Sequence, residues 1–319
     1  SGGASRPMLA MAGNPTTAVL VYEEAKESGS TDIGKYVRYH QFPFDTPPQS
    51  AAGTIVSDPA QNSRRARLVM MSSPGTAFGT RMLLMWRQGE GIQGAPADFM
   101  MRVGAVPAGT DSNDVTNAGF RVSDLSPSVD VANPANNVPG LNISAADLFD
   151  ATSKDPLSNA KAHRAVMDGD FIYAAYTQDA NATDGLDQYQ FWTRWSDDGG
   201  ANWAPPAQVS AGVPDSENVI EPRLIRTPGT VQTGKPEDIR NKNIFVLAWG
   251  TEYIAADSAK PVRDSLFVTR TVDRGQSFER VQAIEPTKTG PEQTDEQIQL
   301  RVTPDGEQVA AVWIRREPT

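Results

Sequence analysis

Residues 163–176 read His-Arg-Ala-Val-Met-Asp-Gly-Asp-Phe-Ile-Tyr-Ala-Ala-Tyr, and residues 300–313 read Leu-Arg-Val-Thr-Pro-Asp-Gly-Glu-Gln-Val-Ala-Ala-Val-Trp. The two segments align without a gap. Each contains an arginine, a short apolar run, an Asp-Gly pair and a second apolar run that ends in an aromatic residue. Asp-Gly between two apolar runs is a strong signal for a β-hairpin. The repeat therefore predicts an all-β chain built from copies of one unit.

The unit recurs elsewhere in the chain. It spans 67–86 and 223–249 with longer turns, and a weaker copy covers 8–22. Third strands are predicted after the hairpins at 35–39, 99–103, 189–194 and 266–270, and fourth strands at 53–57, 207–210 and 280–284. Four antiparallel strands per repeat make the blade of a β-propeller.

The repeat count predicts one β-propeller domain over residues 1–319, with four full blades and the first two strands of a fifth. A complete propeller would have six or seven blades. Because an open blade leaves unpaired strand edges, we expect the missing strands to come from sequence beyond Thr319 or from another protein chain. Residues 104–160, which lack periodicity, are predicted to be one long insertion between blades, with a short helix near 145–151.

The composition excludes several classes of protein. The formal net charge of −10 argues against a nucleic-acid-binding protein, which needs a basic surface. The chain has no cysteine, so it forms no disulfide and has no thiolate metal site. No run of apolar residues is long enough to predict a transmembrane segment.

Two third strands lead into one eight-residue pattern: Ser or Thr, any residue, Asp, any, Gly, any, any, aromatic. Its members are Ser196, Asp198, Gly200 and Trp203 in the first copy, and Thr271, Asp273, Gly275 and Phe278 in the second. The Asp carboxylate can accept main-chain N–H groups of a tight turn, the Gly supplies a positive φ, and the aromatic residue anchors the turn. This pattern is an Asp box, and we predict a structural role for it.

On these motifs the chain resembles the Asp-box, or BNR-repeat, propellers that include sialidases. It is similar more closely to bacterial choice-of-anchor surface proteins of unassigned activity, through residues 34–40 and 162–166. The resemblance covers nearly the whole chain. It implies an exported bacterial protein, located outside the cell, at its surface or in the periplasm, and anchored through a C-terminal segment. It also implies that the Asp boxes lie on the outer rim, away from the central funnel where ligands bind.

An arginine recurs near the start of the innermost hairpin strand in four repeats, at Arg67, Arg164, Arg223 and Arg301. Innermost strands line the channel of a propeller, so these side chains are predicted to form an anion site. Sialidases, which the chain resembles, hold a substrate carboxylate with three arginines, because a planar guanidinium matches a carboxylate. The alternative is that each arginine pairs with an acidic neighbour such as Glu221 or Glu296.

The leading hypothesis for function is a non-enzymatic binding or assembly module for an anionic or glycan ligand. One alternative is a sialidase-like glycoside hydrolase, which would need a Tyr nucleophile beside a Glu, such as Tyr22 with Glu23 or Glu24. The Arg-Ile-Pro motif that opens sialidases is absent. A second alternative is a subunit of a surface assembly that binds metal or transfers electrons.

Two metal sites are considered. Asp179, Asn181, Asp184 and Asp187 place hard oxygen ligands in one loop, which suits calcium, although such loops are more often solvated turns. His40, His163 and Met167 are candidates for a copper site. The simpler interpretation is that the methionines fill the core.

Overall fold

The computed structural model describes residues 3–12, 17–26, 34–45, 53–73, 79–89, 97–106, 140–145, 148, 158–168, 171–179, 188–200, 202–210, 217–227, 230–231, 239–240, 244–253, 262–284 and 294–316. All regular structure in these residues is β. No helix among them is long and apolar enough to cross a membrane.

Four four-stranded sheets follow one another along the chain. Sheet 1 contains β1 (Ala4–Ala12), β2 (Thr17–Ala25), β3 (Lys35–Pro43) and β4 (Thr54–Ile55). Sheet 2 contains β5 (Ser63–Ser73), β6 (Gly79–Gln88), β7 (Asp98–Val106) and β8 (Leu141–Asn142). Sheet 3 contains β9 (Ala160–Asp168), β10 (Phe171–Gln178), β11 (Gln190–Ser196) and β12 (Ala207–Gln208).

The remaining strands form one more full sheet and two pairs. Sheet 4 contains β13 (Glu217–Arg226), β16 (Phe245–Tyr253), β17 (Val262–Thr271) and β18 (Gln282–Ala283). The short pair β14 (Thr230–Val231) and β15 (Ile239–Arg240) lies between β13 and β16 in the chain. Sheet 5 pairs β19 (Thr294–Val302) with β20 (Val309–Arg316). The predicted all-β fold of four-stranded antiparallel sheets is confirmed.

The position of β8 corrects one prediction. Residues 104–160 are predicted as an insertion between two blades, but β7 extends to Val106 and β8 pairs with it through Met100 and Met101. The long segment therefore separates the third and fourth strands of one sheet. Residues 107–139 lie outside the described residues, as does most of the predicted helix near 145–151.

Each fourth strand is fixed by contacts just beyond it. In sheets 1, 2 and 3 an apolar residue and a serine follow the strand, and the serine Oγ accepts a main-chain N–H of the third strand. The pairs are Ser57 with Val37, Ser144 with Phe99, and Ser210 with Phe191, at 3.0, 2.9 and 2.8 Å. These bonds explain how fourth strands of only two residues hold their register.

The second strands of sheets 2, 3 and 4 are buried because they lie in the middle of their sheets with both faces covered. β10 is buried along its first seven residues, so its sequence is a continuous apolar and aromatic run rather than an alternation. The aromatic residues predicted at strand ends are part of this core: Trp86, Tyr176 and Trp249 are fully buried.

The chain divides into two compact units. Unit 1 comprises residues 1–163, 167–172 and 196–205, and unit 2 comprises residues 164–166, 173–195 and 206–319. The core of unit 1 joins sheets 1 and 2 through residues such as Val21, Val37, Met82 and Leu84. In unit 2, Val246, Leu266, Ile298 and Leu300 form a corresponding cluster between sheets 4 and 5.

Both Asp-box sequences form the same hydrogen-bonded turn. The hydroxyl of Ser196 or Thr271 donates to the carboxylate two residues on, at 2.8 and 2.7 Å, and accepts the N–H of Gly200 or Gly275, at 2.8 Å in each case. Each carboxylate also accepts an N–H further along, from Asn202 to Asp198 and from Ser277 to Asp273, at 2.9 and 3.0 Å. The side-chain bond from Ser277, supported by main-chain bonds and by Thr271, lowers the pKa of Asp273 to about 2.

Candidate functional site

The first strand of every sheet contains a residue in the left-handed backbone region that is not glycine. These residues are Arg6, Arg65, Ala162, Glu221 and Gln297, with φ of 51°, 61°, 50°, 51° and 59°. In β1, β5, β13 and β19 the pairing register shifts at the same point, which identifies a β-bulge. We call the end of a sheet at which its first strand carries this residue the bulged end.

A repeated bulge of this kind makes the bulged end of each sheet a candidate functional surface. A left-handed non-glycine residue is unfavourable by about 1–2 kcal/mol and persists only where surrounding contacts hold it. Bulges re-aim side chains and are frequent beside active sites. The Asp box lies at the other end: in sheet 4, Thr271 pairs with Phe245, which pairs with Arg226, five residues beyond Glu221.

The predicted arginines occupy two different positions relative to the bulge. Arg67, Arg164 and Arg223 each lie two residues after their left-handed residue, whereas Arg301 lies four residues after Gln297. In sheet 5, Gln299 is the residue two after the bulge. It pairs with Val312, just before Trp313, as Arg223 pairs with Ala248, just before Trp249.

Arg301 lies at a different position from the other three arginines because the segment between bulge and turn is longer in β19 than in the equivalent strand β9. The gap-free alignment of 163–176 with 300–313 is anchored on the Asp-Gly pairs. Five residues lie between Ala162 and Asp168, however, and seven lie between Gln297 and Asp305. β19 is thus longer by two residues between its bulge and its turn. The structural equivalent of Arg164 is therefore Gln299, and Arg301 is exposed, with Nη1 donating to the carbonyl of Leu300 at 2.7 Å.

Arg223 is a half-buried cation at the bulged end of sheet 4. Its Nη1 donates to the main-chain carbonyls of Glu221 and Pro222, at 3.1 and 3.2 Å. Burial lowers its pKa, and attraction from Glu221 opposes that shift. Among the described residues no carboxylate forms a hydrogen bond or an ion pair with this guanidinium, so the predicted alternative of pairing with Glu221 does not account for it.

Two carboxylates at bulged ends have contacts that the sequence did not predict. Glu23 is fully buried and binds Lys35 Nζ at 3.1 Å, Arg6 Nη1 at 3.4 Å and the main-chain N–H of Arg65 at 2.8 Å. Glu221 accepts the main-chain N–H of Gln297 at 2.6 Å.

A sequence signal for these bulges exists. Asn62, Asn159 and Asn218 each precede a left-handed residue by three positions. Asn62 Oδ1 accepts the N–H of Lys35 at 2.7 Å, and Asn218 Oδ1 accepts that of Tyr189 at 2.9 Å. An asparagine at this spacing marks the entry to a first strand.

The Tyr–Glu pair that a sialidase-like mechanism requires does not form at Tyr22. Its hydroxyl accepts the N–H of Gly53 at 2.9 Å. Glu23 faces the other side of β2, since neighbouring strand residues point in opposite directions, and Glu24 binds Arg38.

The residues predicted for metals are dispersed or lie partly outside the described residues. His40 stacks on Tyr22 with ring centroids 5.9 Å apart, and burial, aided by Arg38, lowers its pKa. His163 is buried and stacks on Phe99, with ring centroids 5.0 Å apart, and Met167 is buried in the same strand.

In the part of the chain that the structure describes, no group of three or more His, Asp or Glu residues is arranged to hold a metal ion. Of the calcium candidates, Asp179 is buried. Asn181, Asp184 and Asp187 lie outside the described residues.

Unit 2 contains a cavity of about 640 Å³ between sheet 4 and sheet 5. Its apolar lining is Ile244, Val246, Val268, Ile284, Leu300, Val309 and Ala311. In unit 1 the matching space is filled: by register Val309 and Ala311 correspond to Met82 and Leu84, which are fully buried. Smaller side chains in sheet 5 therefore contribute to the cavity.

Filling this cavity is expected to stabilise unit 2. The Ala311→Leu variant should raise the free energy of unfolding by about 0.5–1.5 kcal/mol, because it adds apolar contacts where Leu84 makes them in sheet 2. Ala310→Leu is the matched control, since Ala310 is exposed and does not line the cavity. Urea denaturation of both variants measures the difference, and an equal effect of the two substitutions would contradict the expectation.

No protein-family model and no curated protein matches the sequence. The structure is similar to that of an α-L-arabinanase from Penicillium chrysogenum solved with arabinobiose, with a TM-score of 0.47 and 10% identity over 88% of this chain and 66% of that one. It is also similar to a family-93 α-L-arabinofuranosidase of Fusarium graminearum with arabinobiose, with a TM-score of 0.45 and 12% identity over 88% and 65%.

A distant similarity links the chain to an intramolecular trans-sialidase from Ruminococcus gnavus, with a TM-score of 0.29 and 13% identity over 98% of this chain and 68% of that one. At these identities the similarity concerns the fold alone. The chain spans slightly less than two-thirds of the arabinanase and of the arabinofuranosidase. The predicted number of six or seven blades is not tested by these similarities and stays a prediction.

Proposed function

We propose that this chain binds an acidic carbohydrate at the bulged ends of sheets 4 and 5, and that Arg223 holds a carboxylate of the ligand. The proposal is supported by the burial and the hydrogen bonds of Arg223. It is a half-buried guanidinium whose hydrogen bonds, among the described residues, run only from Nη1 to two carbonyls of its own strand.

A carboxylate is the ligand group that suits this cation. Burial removes water from the guanidinium and lowers its pKa, so a bound anion would restore the lost stabilisation. A planar guanidinium with contacts on Nη1 retains further N–H groups that match the two oxygens of a carboxylate.

The carbohydrate part of the proposal rests on the polar groups around Arg223. The side-chain amide of Gln297 is exposed and can donate to and accept from hydroxyl groups, and the main-chain N–H of Gln297 is bound by the carboxylate of Glu221, two residues before Arg223. The arabinanase and the arabinofuranosidase were solved with a disaccharide. We extend that ligand class to this chain and add the acidic group that Arg223 requires.

A comparison of Arg223→Ala with Arg301→Ala tests the proposal. We expect Arg223→Ala to weaken binding of oligosaccharides that contain a uronic or sialic acid by about 10- to 100-fold, since hydrogen bonds to charged groups contribute about 1.5–3 kcal/mol. Arg301→Ala should change affinity by less than about twofold. Isothermal titration with acidic and uncharged oligosaccharides of equal length measures both.

Comparison of the two variants also tests which residue of sheet 5 is equivalent to Arg223. The strand register selects Gln299, whereas the gap-free sequence alignment selects Arg301. Equal losses for both variants would favour the alignment, and binding of uncharged oligosaccharides as tight as that of acidic ones would refute the role of Arg223.

Glycoside hydrolysis is the second candidate, because Glu221 places a carboxylate at the same bulged end. Hydrolysis generally requires two carboxyl groups about 5–9.5 Å apart. Release of new reducing ends from the same acidic oligosaccharides would establish an enzyme, and binding without release would leave a binding module.

A further inference from the structure

A bulge turns one main-chain N–H out of the strand pairing, so that this group needs another acceptor. At two bulges the acceptor is a carboxylate from the preceding sheet. In unit 1, Glu23 Oε1 of sheet 1 accepts the N–H of Arg65 in sheet 2 at 2.8 Å. In unit 2, Glu221 Oε2 of sheet 4 accepts the N–H of Gln297 in sheet 5 at 2.6 Å.

Each carboxylate connects one bulge to the next. Glu23 binds the side chain of Arg6, the left-handed residue of β1, and the main chain of Arg65, the left-handed residue of β5. Glu221 is itself the left-handed residue of β13, and its carboxylate binds the left-handed residue of β19. In both units a carboxylate thus connects neighbouring first strands, from the second strand β2 in unit 1 and from the first strand β13 in unit 2.

Glu221 also contacts Arg223, because its main-chain carbonyl accepts a hydrogen bond from Nη1 at 3.1 Å. One residue therefore contacts the arginine of sheet 4 through its carbonyl and the first strand of sheet 5 through its carboxylate. Removal of the carboxylate would leave the arginine intact but would release the main-chain N–H of Gln297, while Ile298 and Leu300 keep the rest of β19 in the core.

From these contacts we infer that Glu221 is a positioning residue. It fixes Gln297, and with it the start of β19, at the level of Arg223, so that both strands present their polar groups to one ligand. The inference rests on the proposed function for its effect on binding, but not for its effect on the strand.

Two substitutions separate positioning from direct charge. Glu221→Ala removes the acceptor, whereas Glu221→Gln keeps a carbonyl oxygen within reach of the Gln297 N–H. We expect Glu221→Ala to speed amide hydrogen exchange at Gln297 by about tenfold or more and to weaken binding of the acidic oligosaccharide by a similar factor. In Glu221→Gln the exchange rate at Gln297 and the affinity for the oligosaccharide should both stay within about threefold of the values for the unaltered protein. Glu279→Ala, which removes an exposed carboxylate of the same unit, is the control for net charge.

The outcomes are distinguishable. Unchanged exchange at Gln297 in Glu221→Ala would overturn the inference, as would a loss of affinity in Glu221→Gln equal to that in Glu221→Ala. Exchange is measured on the protein without any oligosaccharide. A failure to bind acidic oligosaccharides would therefore refute the proposed function. The exchange rate at Gln297 would still show whether Glu221 holds the start of β19.

Discussion

Gly275→Ala is expected to lower the free energy of unfolding by about 3 kcal/mol or more, a large part of the stability of a typical domain. Gly275 has a φ of 87°, a conformation that side chains with a Cβ rarely adopt. An added Cβ would overlap Cε2 of Tyr173 and lie 3.1 Å from its Cζ.

Tyr173 has no room to move away from such a methyl group. Its ring is fully buried and stacks on Phe245, with centroids 5.1 Å apart and an interplanar angle of 7°. Burial also raises the pKa of its hydroxyl far above the usual range. The substitution therefore adds overlap to backbone strain in the core of unit 2.

The matched control is Gly3→Ala, because a Cβ at Gly3 would meet no atom within 4 Å. Urea denaturation followed by tryptophan fluorescence measures both variants. A loss below about 1 kcal/mol for Gly275→Ala would mean that the second Asp-box turn shifts away from Tyr173 at little cost. If the variant does not accumulate as soluble protein, a normal yield of Gly3→Ala still shows the effect to be specific.

Hairpins were predictable from the sequence because their signals are local. An Asp-Gly turn between two apolar runs specifies which residues pair, and β19 with β20 follow that signal directly. The predicted fourth strands at 53–57, 207–210 and 280–284 likewise contain β4, β12 and β18.

The fourth strand of sheet 2 was missed because its signal is not local. β8 has two residues and no periodicity, and contacts with distant residues hold it in place: Ile143 N–H donates to the carbonyl of Phe99 at 2.8 Å. The apolar residue and serine that follow three of the fourth strands are a usable signal. They become visible only once the other sheets are aligned.

The bulges were not predictable from the type of the left-handed residue itself. A left-handed conformation is normally read from glycine, but here Arg, Ala, Glu and Gln adopt it because neighbouring groups hold them. Without the bulges, arginine spacing alone selects Arg301. With them, register selects Gln299, and the candidate site changes from four arginines to a mixed set in which Glu221 and Gln297 accompany Arg223.

Glu23→Ala is expected to cost about 3–5 kcal/mol of unfolding free energy, because removing one member of a buried ion pair leaves the other charge uncompensated. Side-chain exposure is 0% for Glu23 and 9% for Lys35. The substitution would also leave the main-chain N–H of Arg65 without the carboxylate that accepts it. Chemical denaturation of the whole chain measures the loss.

An exposed ion pair serves as the control. Arg270 Nε lies 2.7 Å from Glu279 Oε2, but the two side chains are 53% and 42% exposed. Water already solvates both charges, so Glu279→Ala should change the free energy of unfolding by less than about 1 kcal/mol. Similar losses for Glu23→Ala and Glu279→Ala would show that burial is not what makes the Glu23 carboxylate important.

The double variant Glu23→Leu with Lys35→Met separates charge from geometry. Replacing both members of a buried pair by apolar side chains of similar size is often neutral, so much of the loss should be recovered if the uncompensated Lys35 charge causes it. Apolar side chains cannot accept the N–H of Arg65 or bind Arg6, so any loss that persists measures the connection between the first strands of sheets 1 and 2. A double variant as unstable as Glu23→Ala would assign the role of Glu23 to that connection, the same role that the contacts of Glu221 indicate between sheets 4 and 5.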